Sequence, residues 1–172
     1  SILLPLRHPL LLANIISTLD HASNGRVTLG IGAGWYKPEF DASGVPYNQR
    51  GEVEEEEIRL LKLLWSKSDV NFHGKHFEAE NLSINPKPLQ KPHPKIWLGG
   101  RVTKTFKRTA KYGDGWLAWC PTLELCSRGI SEIRRFCKAS GRDTSEVKFA
   151  ADFLTCIKKD GKLARKEAQK KN

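Results

Sequence analysis

Arg26-Val27-Thr28-Leu29-Gly30-Ile31-Gly32-Ala33-Gly34-Trp35 decides how this chain is read. Val27, Leu29 and Ile31 alternate as apolar residues and predict a short strand over 26–32. Gly30, Gly32 and Gly34 recur at every second position. On a strand, that spacing strips side chains from one face and lets another group approach the backbone. Trp35 closes the run with a large flat ring. Such a strand end suits a flat, anionic cofactor. It equally suits a buried strand entering a glycine-rich turn, because a glycine pattern alone is weak evidence.

Working outward, Ile2-Leu3-Leu4 reads as the end of an earlier strand. Pro9 suits a helix start, where its missing N–H costs nothing. Leu10, Leu11, Leu12, Ala13, Ile15, Ile16 and Leu19 then make a helix apolar enough to pack on a sheet, closed by Asn24-Gly25. Residues 33–51 read as a long connection rich in glycine, proline and aromatics, and such loops tend to be functional. A helix is predicted over 52–66, with Val53, Ile58, Leu61, Leu64 and Trp65 inward. Its Glu52, Glu54, Glu55, Glu56 and Glu57 read as a solvated start at the positive end of the helix dipole.

An insert at about 68–94 holds a hairpin-like pattern over 70–84, followed by Pro86, Pro88, Pro92 and Pro94. Further strands are predicted at 95–98, 115–119 and 148–157. Helices are predicted from Thr103 to Lys111 and from Thr122 to Ser140, the latter with Leu123, Cys126, Ile130, Ile133 and Cys137 inward. A basic segment at 158–172 follows. Strands alternating with helices predict an α/β fold with a parallel sheet, either doubly wound or part of a (β/α)8 barrel. Both bind ligands at the carboxyl ends of their strands.

The 172 residues suffice for one domain with a core. Lys and Arg exceed Asp and Glu by 29 to 19, for a net charge of +10. Much of the excess is local, since seven Lys or Arg fall in 158–172 against Asp160 and Glu167. No zinc-finger spacing or aromatic-interleaved basic strip accompanies them, so no specific nucleic-acid partner is expected. Cys120, Cys126, Cys137 and Cys156 form no CxxC pair, and no metal site is expected. No apolar run reaches about 18 residues, so no membrane span is expected, and reduced thiols suit a cytoplasmic setting. With no Met and a start in mid-strand, the sequence reads as a piece of a longer chain.

A series of motifs carries a family resemblance: Pro5-Leu-Arg-His-Pro9, Leu19-Asp-His-Ala-Ser-Asn-Gly-Arg26, Leu29-Gly-Ile-Gly-Ala-Gly-Trp35, Phe40-Asp-Ala-Ser-Gly-Val-Pro46 with Arg50-Gly51, Phe72-His-Gly-Lys-His-Phe77, Pro86-Lys-Pro88 with Gln90, Ile96-Trp-Leu-Gly-Gly100 and Tyr112-Gly-Asp-Gly-Trp116. Each is weak alone. In this order they resemble the luciferase-like monooxygenase superfamily, and within it the F420-dependent oxidoreductases. The resemblance implies a partial TIM (β/α)8 barrel, about strands three to seven with an insert. It implies a single incomplete barrel domain over 1–172. The cofactor implied is F420, with FMN as the alternative, acting on a small organic substrate. A full-length member of this kind is expected to be a homodimer.

On that resemblance, Gly99 and Gly100, with Arg101 and Thr103, occupy the corner that receives cofactor phosphate. Ala33, Gly34 and Trp35 border the ring system. His8 is read as a helix cap and Asp114 as a turn former. The acid/base side chains of the family's early strands have no counterpart in this sequence, so no catalytic residue is assigned.

Overall fold

The computed structural model describes residues 1–169. The glycine-rich stretch is β2 (Thr28–Gly32), the second strand of a five-stranded parallel sheet. It follows β1 (Ile2–Leu3) and α1 (Pro9–Ala22). After β2 come α2 (Lys37–Ser43), α3 (Arg50–Ser66) and an antiparallel hairpin, β3 (Val70–His73) with β4 (Glu78–Leu82). The chain returns to the sheet as β5 (Lys95–Gly99), α4 (Thr103–Tyr112), β6 (Gly115–Trp119), α5 (Leu123–Ala139) and β7 (Lys148–Asp152). A terminal helix, α6, spans Gly161–Gln169. The sheet order is β1-β2-β5-β6-β7, every pair parallel. This is the arc of a (β/α)8 barrel, with β1 and β7 as open edges.

Strand alternation sorts the sheet into two faces. Leu29, Ile31, Ile96 and Leu98 point outward and are buried under α1 and α3, with Trp65 and the hairpin's Val70 and Phe72 in the same cluster. Trp116 and Ala118 continue that face into a second cluster with Phe106, Ala110, Ile133 and Cys137 of α4 and α5. On the concave face, Gly30, Trp97, Gly115 and Lys148 fall in one register row. A Cβ on Gly115 would lie 2.6 Å from the Trp97 ring, so glycine there gives the indole its bed.

Four expectations are corrected. The stretch 33–51 is not one long connection, since α2 forms within it. Pro38 in its first turn, a Lys37–Asp41 ion pair at 2.6 Å one turn apart, and Gly44 in the left-handed region (φ 69°) account for start, body and stop. β7 ends at Asp152 instead of 157, because its partner β6 ends at Trp119; Phe153, Leu154 and Ile157 are exposed beyond it. Leu123 opens α5 at 88% exposed, too early in the helix to reach the core, and Cys126 is only half-buried.

The fourth correction concerns the acidic start of α3. Glu54, Glu56 and Glu57 are buried, because the hairpin and α4 pack over that turn. Glu56 accepts the backbone N–H groups of Lys75, His76 and Phe77 at 3.0, 2.9 and 2.8 Å and so cradles the hairpin turn. Burial disfavours its charge, yet those amides outweigh burial and hold the carboxyl below its ordinary range. Glu54 pairs with Arg108 of α4 at 2.6 Å, and the guanidinium passes over Gly51, where a Cβ would lie 2.7 Å from it. Glu57 is fully buried, and among the described residues its two oxygens have no hydrogen-bond partner. Burial, then the Glu54 charge, push its carboxyl up to about 9; burial raises Glu54 to about 7 despite Arg108.

Candidate functional site

The sheet brings the two predicted half-sites to one edge. Ile31 of β2 pairs with Leu98 of β5, so Gly32 and Gly99 are neighbours and both strands end together. Gly32 would place a Cβ 4.0 Å from the Gly99 carbonyl oxygen, and Gly99 one 3.4 Å from the Ile31 oxygen. Beyond that row, Ala33-Gly34-Trp35 leaves β2 and Gly100-Arg101-Val102 leads from β5 into α4.

Each glycine at this edge has an identifiable local reason. Gly34 has φ 83°, and a Cβ there would lie 2.7 Å from the buried Phe40 ring. Gly100 has φ 143°, with the Thr105 hydroxyl 2.6 Å from the position of a Cβ. Both lie where L side chains are strained. The Gly100 carbonyl accepts the Trp116 indole N–H at 2.9 Å, fastening this turn to the next strand.

α4 starts without a side-chain cap at Val102, so the amides of Thr103 and Lys104 face out of the helix start. Thr103 is exposed. Arg101 donates to the Trp119 carbonyl at 2.6 Å and sits 5.5 Å over the Trp119 ring. Its own carbonyl accepts from Arg128 of α5 at 3.0 Å. Arg101 therefore ties the end of β6 to the β5–α4 turn, and Arg128 brings a second positive charge that its place mid-helix did not advertise.

At the other half-site Trp35 is 80% exposed, its ring 5.5 Å from that of Tyr36. Arg50 and Tyr47 reach the same loop, and neither was assigned to the site from the sequence. The Arg50 Nε–H donates to the Gly34 carbonyl at 3.0 Å, and the Tyr47 hydroxyl donates to the Trp35 carbonyl at 2.9 Å. The only sequence signal was their position, at the junction of a glycine-rich loop with a helix. His8 precedes α1 at the cap position but makes no side-chain cap bond. Asp114 accepts the Ile96 amide at 2.9 Å, bracing β5 at the opposite end of the sheet.

A concavity of about 410 Å³ lies on the flank of α2, lined by Lys37, Phe40, Gly44, Pro46 and Tyr47 among others; none of the strand-end residues above lines it. Among the described residues no cluster of His, Cys, Asp or Glu is arranged to hold a metal ion, and no helix is long and apolar enough to cross a membrane.

The family model described as luciferase-like monooxygenase matches residues 1–172. The chain belongs to the luciferase-like monooxygenase family. An FMNH(2)-dependent dimethylsulfone monooxygenase of Pseudomonas putida is 32% identical over 136 residues, covering 77% of this chain and 38% of the relative. A monooxygenase from Streptomyces bottropensis superposes with a TM-score of 0.87 at 24% identity, covering 99% of this chain and 53% of that one. The coenzyme F420-dependent tetrahydromethanopterin reductase of Methanopyrus kandleri superposes with a TM-score of 0.80 at 24% identity, over 92% and 49%. This luciferase-like chain thus spans between about a third and about half the length of the curated relatives it matches. The Pseudomonas putida relative is FMNH(2)-dependent, and the structures that share the fold include both F420-dependent enzymes and an FMN-bound monooxygenase.

Proposed function

We propose that the chain supplies one half of the cofactor site of a luciferase-like oxidoreductase, receiving F420 or FMN across the carboxyl ends of β2 and β5. The observation that carries this reading is the convergence of Ala33–Trp35 and Gly99–Thr103 on one sheet edge. The donor set suits a phosphorylated tricycle. Gly99 and Gly100 leave the backbone clear, the uncapped start of α4 offers amides and a favourable dipole to a phosphate, and Trp35 offers an exposed ring. Arg101 suits the role less well, because its guanidinium is engaged by Trp119; it contributes charge more than a free fork.

When bound, the cofactor supplies the redox chemistry toward a small organic substrate. The chain's residues hold the phosphate at Gly99, Gly100 and Thr103, orient the ring at Ala33–Trp35 and limit water at the concave face. F420 is favoured by the resemblance of residues 5–51 and by a net charge of +10, which suits an anionic tail. FMN is favoured by the FMNH(2)-dependent relative. The four free thiols fit a cytoplasmic setting.

The test is separate titration of the purified chain with F420 and FMN, read by cofactor fluorescence. Saturable quenching by either supports the reading, and the tighter ligand names the cofactor. A second reading, an inert fragment, is favoured by the two open sheet edges. No fluorescence change with either cofactor would select it.

A further inference from the structure

The loop after β2 carries no regular structure, so its backbone acceptors need partners from elsewhere. Two consecutive carbonyls find them in side chains far along the chain. Gly34 accepts from Arg50 Nε at 3.0 Å, and Trp35 accepts from the Tyr47 hydroxyl at 2.9 Å. The two donors are themselves locked together. Arg50 Nη1 donates to the Tyr47 carbonyl at 2.8 Å, and the guanidinium lies 3.8 Å from the centre of the Tyr47 ring. Phe40, fully buried, closes the arrangement from below, edge-on to Tyr47 at 5.3 Å and directly under Gly34.

Two features set this apart from ordinary loop anchoring. Arg50 is the first residue of α3, where a positive charge opposes the helix dipole. The site accepts that local cost for the sake of the carbonyl contacts. The clamp also fixes the backbone on both sides of the Trp35 Cα while leaving its indole 80% exposed. A large ring held in place yet unpacked is set to meet something that is not part of this chain.

We propose that Arg50 and Tyr47 are positioning residues that hold the Gly34–Trp35 loop so that the Trp35 ring forms one wall of the cofactor site. The inference rests on the cofactor reading given above. Lysine is a poor substitute for Arg50, since its single nitrogen lacks the planar fork that donates from Nε and Nη1 to separate carbonyls while lying over the Tyr47 ring.

The experiment compares wild type, Arg50→Ala, Arg50→Lys, Tyr47→Phe, Trp35→Ala and the Arg50→Ala/Trp35→Ala double variant. Two readouts are taken: amide hydrogen exchange of the segment 31–40, and F420 and FMN affinity by fluorescence. Arg50→Ala is expected to speed exchange at residues 33–36 and to weaken binding, each roughly tenfold, the range of a coupled contact. It should weaken binding little further once Trp35 is alanine. Arg50→Lys should resemble alanine. Tyr47→Phe keeps the ring stack and loses one bond, so it remains informative if Arg50→Ala does not fold. Unchanged exchange at 33–36 in both Arg50→Ala and Tyr47→Phe overturns the clamp itself. An equal loss of affinity with and without Trp35, or full rescue by lysine, overturns its role as a positioning device. If wild type binds neither cofactor, the cofactor reading fails and takes the Trp35-wall role with it, while the exchange data still decide whether the clamp exists.

Discussion

Single residues at the sheet edge carry conformations that few side chains tolerate. Gly34 combines φ 83° with Phe40 against its α-carbon. Gly34→Ala is expected to destabilise by about 1–3 kcal/mol, the usual range for a side chain forced into such a region. Urea unfolding checks it; a midpoint equal to wild type would mean the loop simply re-forms. Glu56, on α3 and away from that edge, matters through its contacts instead of its backbone. Glu56→Ala leaves three turn amides without their acceptor and is expected to cost about 2–4 kcal/mol, since bonds to a charged group are the stronger kind. Exchange at residues 75–77 should rise in step, and protection that survives the substitution would refute the cradle. The need for glycine at Gly34 was legible in the sequence, because glycines at every second position ahead of an aromatic mark a backbone that other groups approach closely. The role of Glu56 as an acceptor was not legible, because five nearby glutamates in 52–57 look alike until the hairpin is folded over one of them.

At the scale of elements, α3 and α4 meet through charges. The ordinary value for a glutamate here is 4.5, and Glu57 is pushed up to about 9. Folding therefore holds a proton that the unfolded chain has released, and stability falls as pH rises across that window. The slope is at most about 1.4 kcal/mol per pH unit for one such group. Glu54, raised to about 7, steepens the lower part of the same window. Glu57→Met is expected to remove the decline between pH 7 and 9 and to raise stability at pH 8. Urea midpoints at pH 5, 7 and 9 test this; an undiminished slope in the variant would locate the titrating group elsewhere. The α/β alternation and the inward residues Val53, Ile58, Leu61, Leu64 and Trp65 of α3 were legible, because periodicity reports which face is buried. Which carboxylates join that face was not legible, since helical spacing does not reveal what packs on the other side. The ten residues assigned to the last strand show the opposite failure: their apolar character was plain, but strand length depends on the partner's end.

At the scale of the whole sheet, β1 and β7 carry backbone that no other strand among the described residues pairs. β1 and β7 each bond a single neighbour, and Phe153, Leu154 and Ile157 stand exposed beside one of those edges. The 172-residue chain alone is expected to self-associate, since open edges next to apolar surface recruit further strands. Light scattering across a concentration series should show mass growing with concentration, and Leu154→Lys should reduce the growth. A strictly monomeric chain at high concentration would show that the edges are protected by their own twist. The hairpin of β3 and β4 stands outside this sheet. Glu56 grips its turn through main-chain amides, with Gly74 giving the carboxylate room to approach, while Lys75 adds an exposed ion pair to Glu52 at 2.8 Å and Phe77 packs against the core. The Glu56 part of that grip reads no side chain, and the exposed Lys75–Glu52 pair adds little, so the turn is nearly indifferent to the side chains at 75 and 76. That makes the tip of this hairpin a natural port, where a foreign peptide keeping the glycine, three free N–H groups and the aromatic anchor of Phe77 can be spliced in while the sheet beneath it stays as it is.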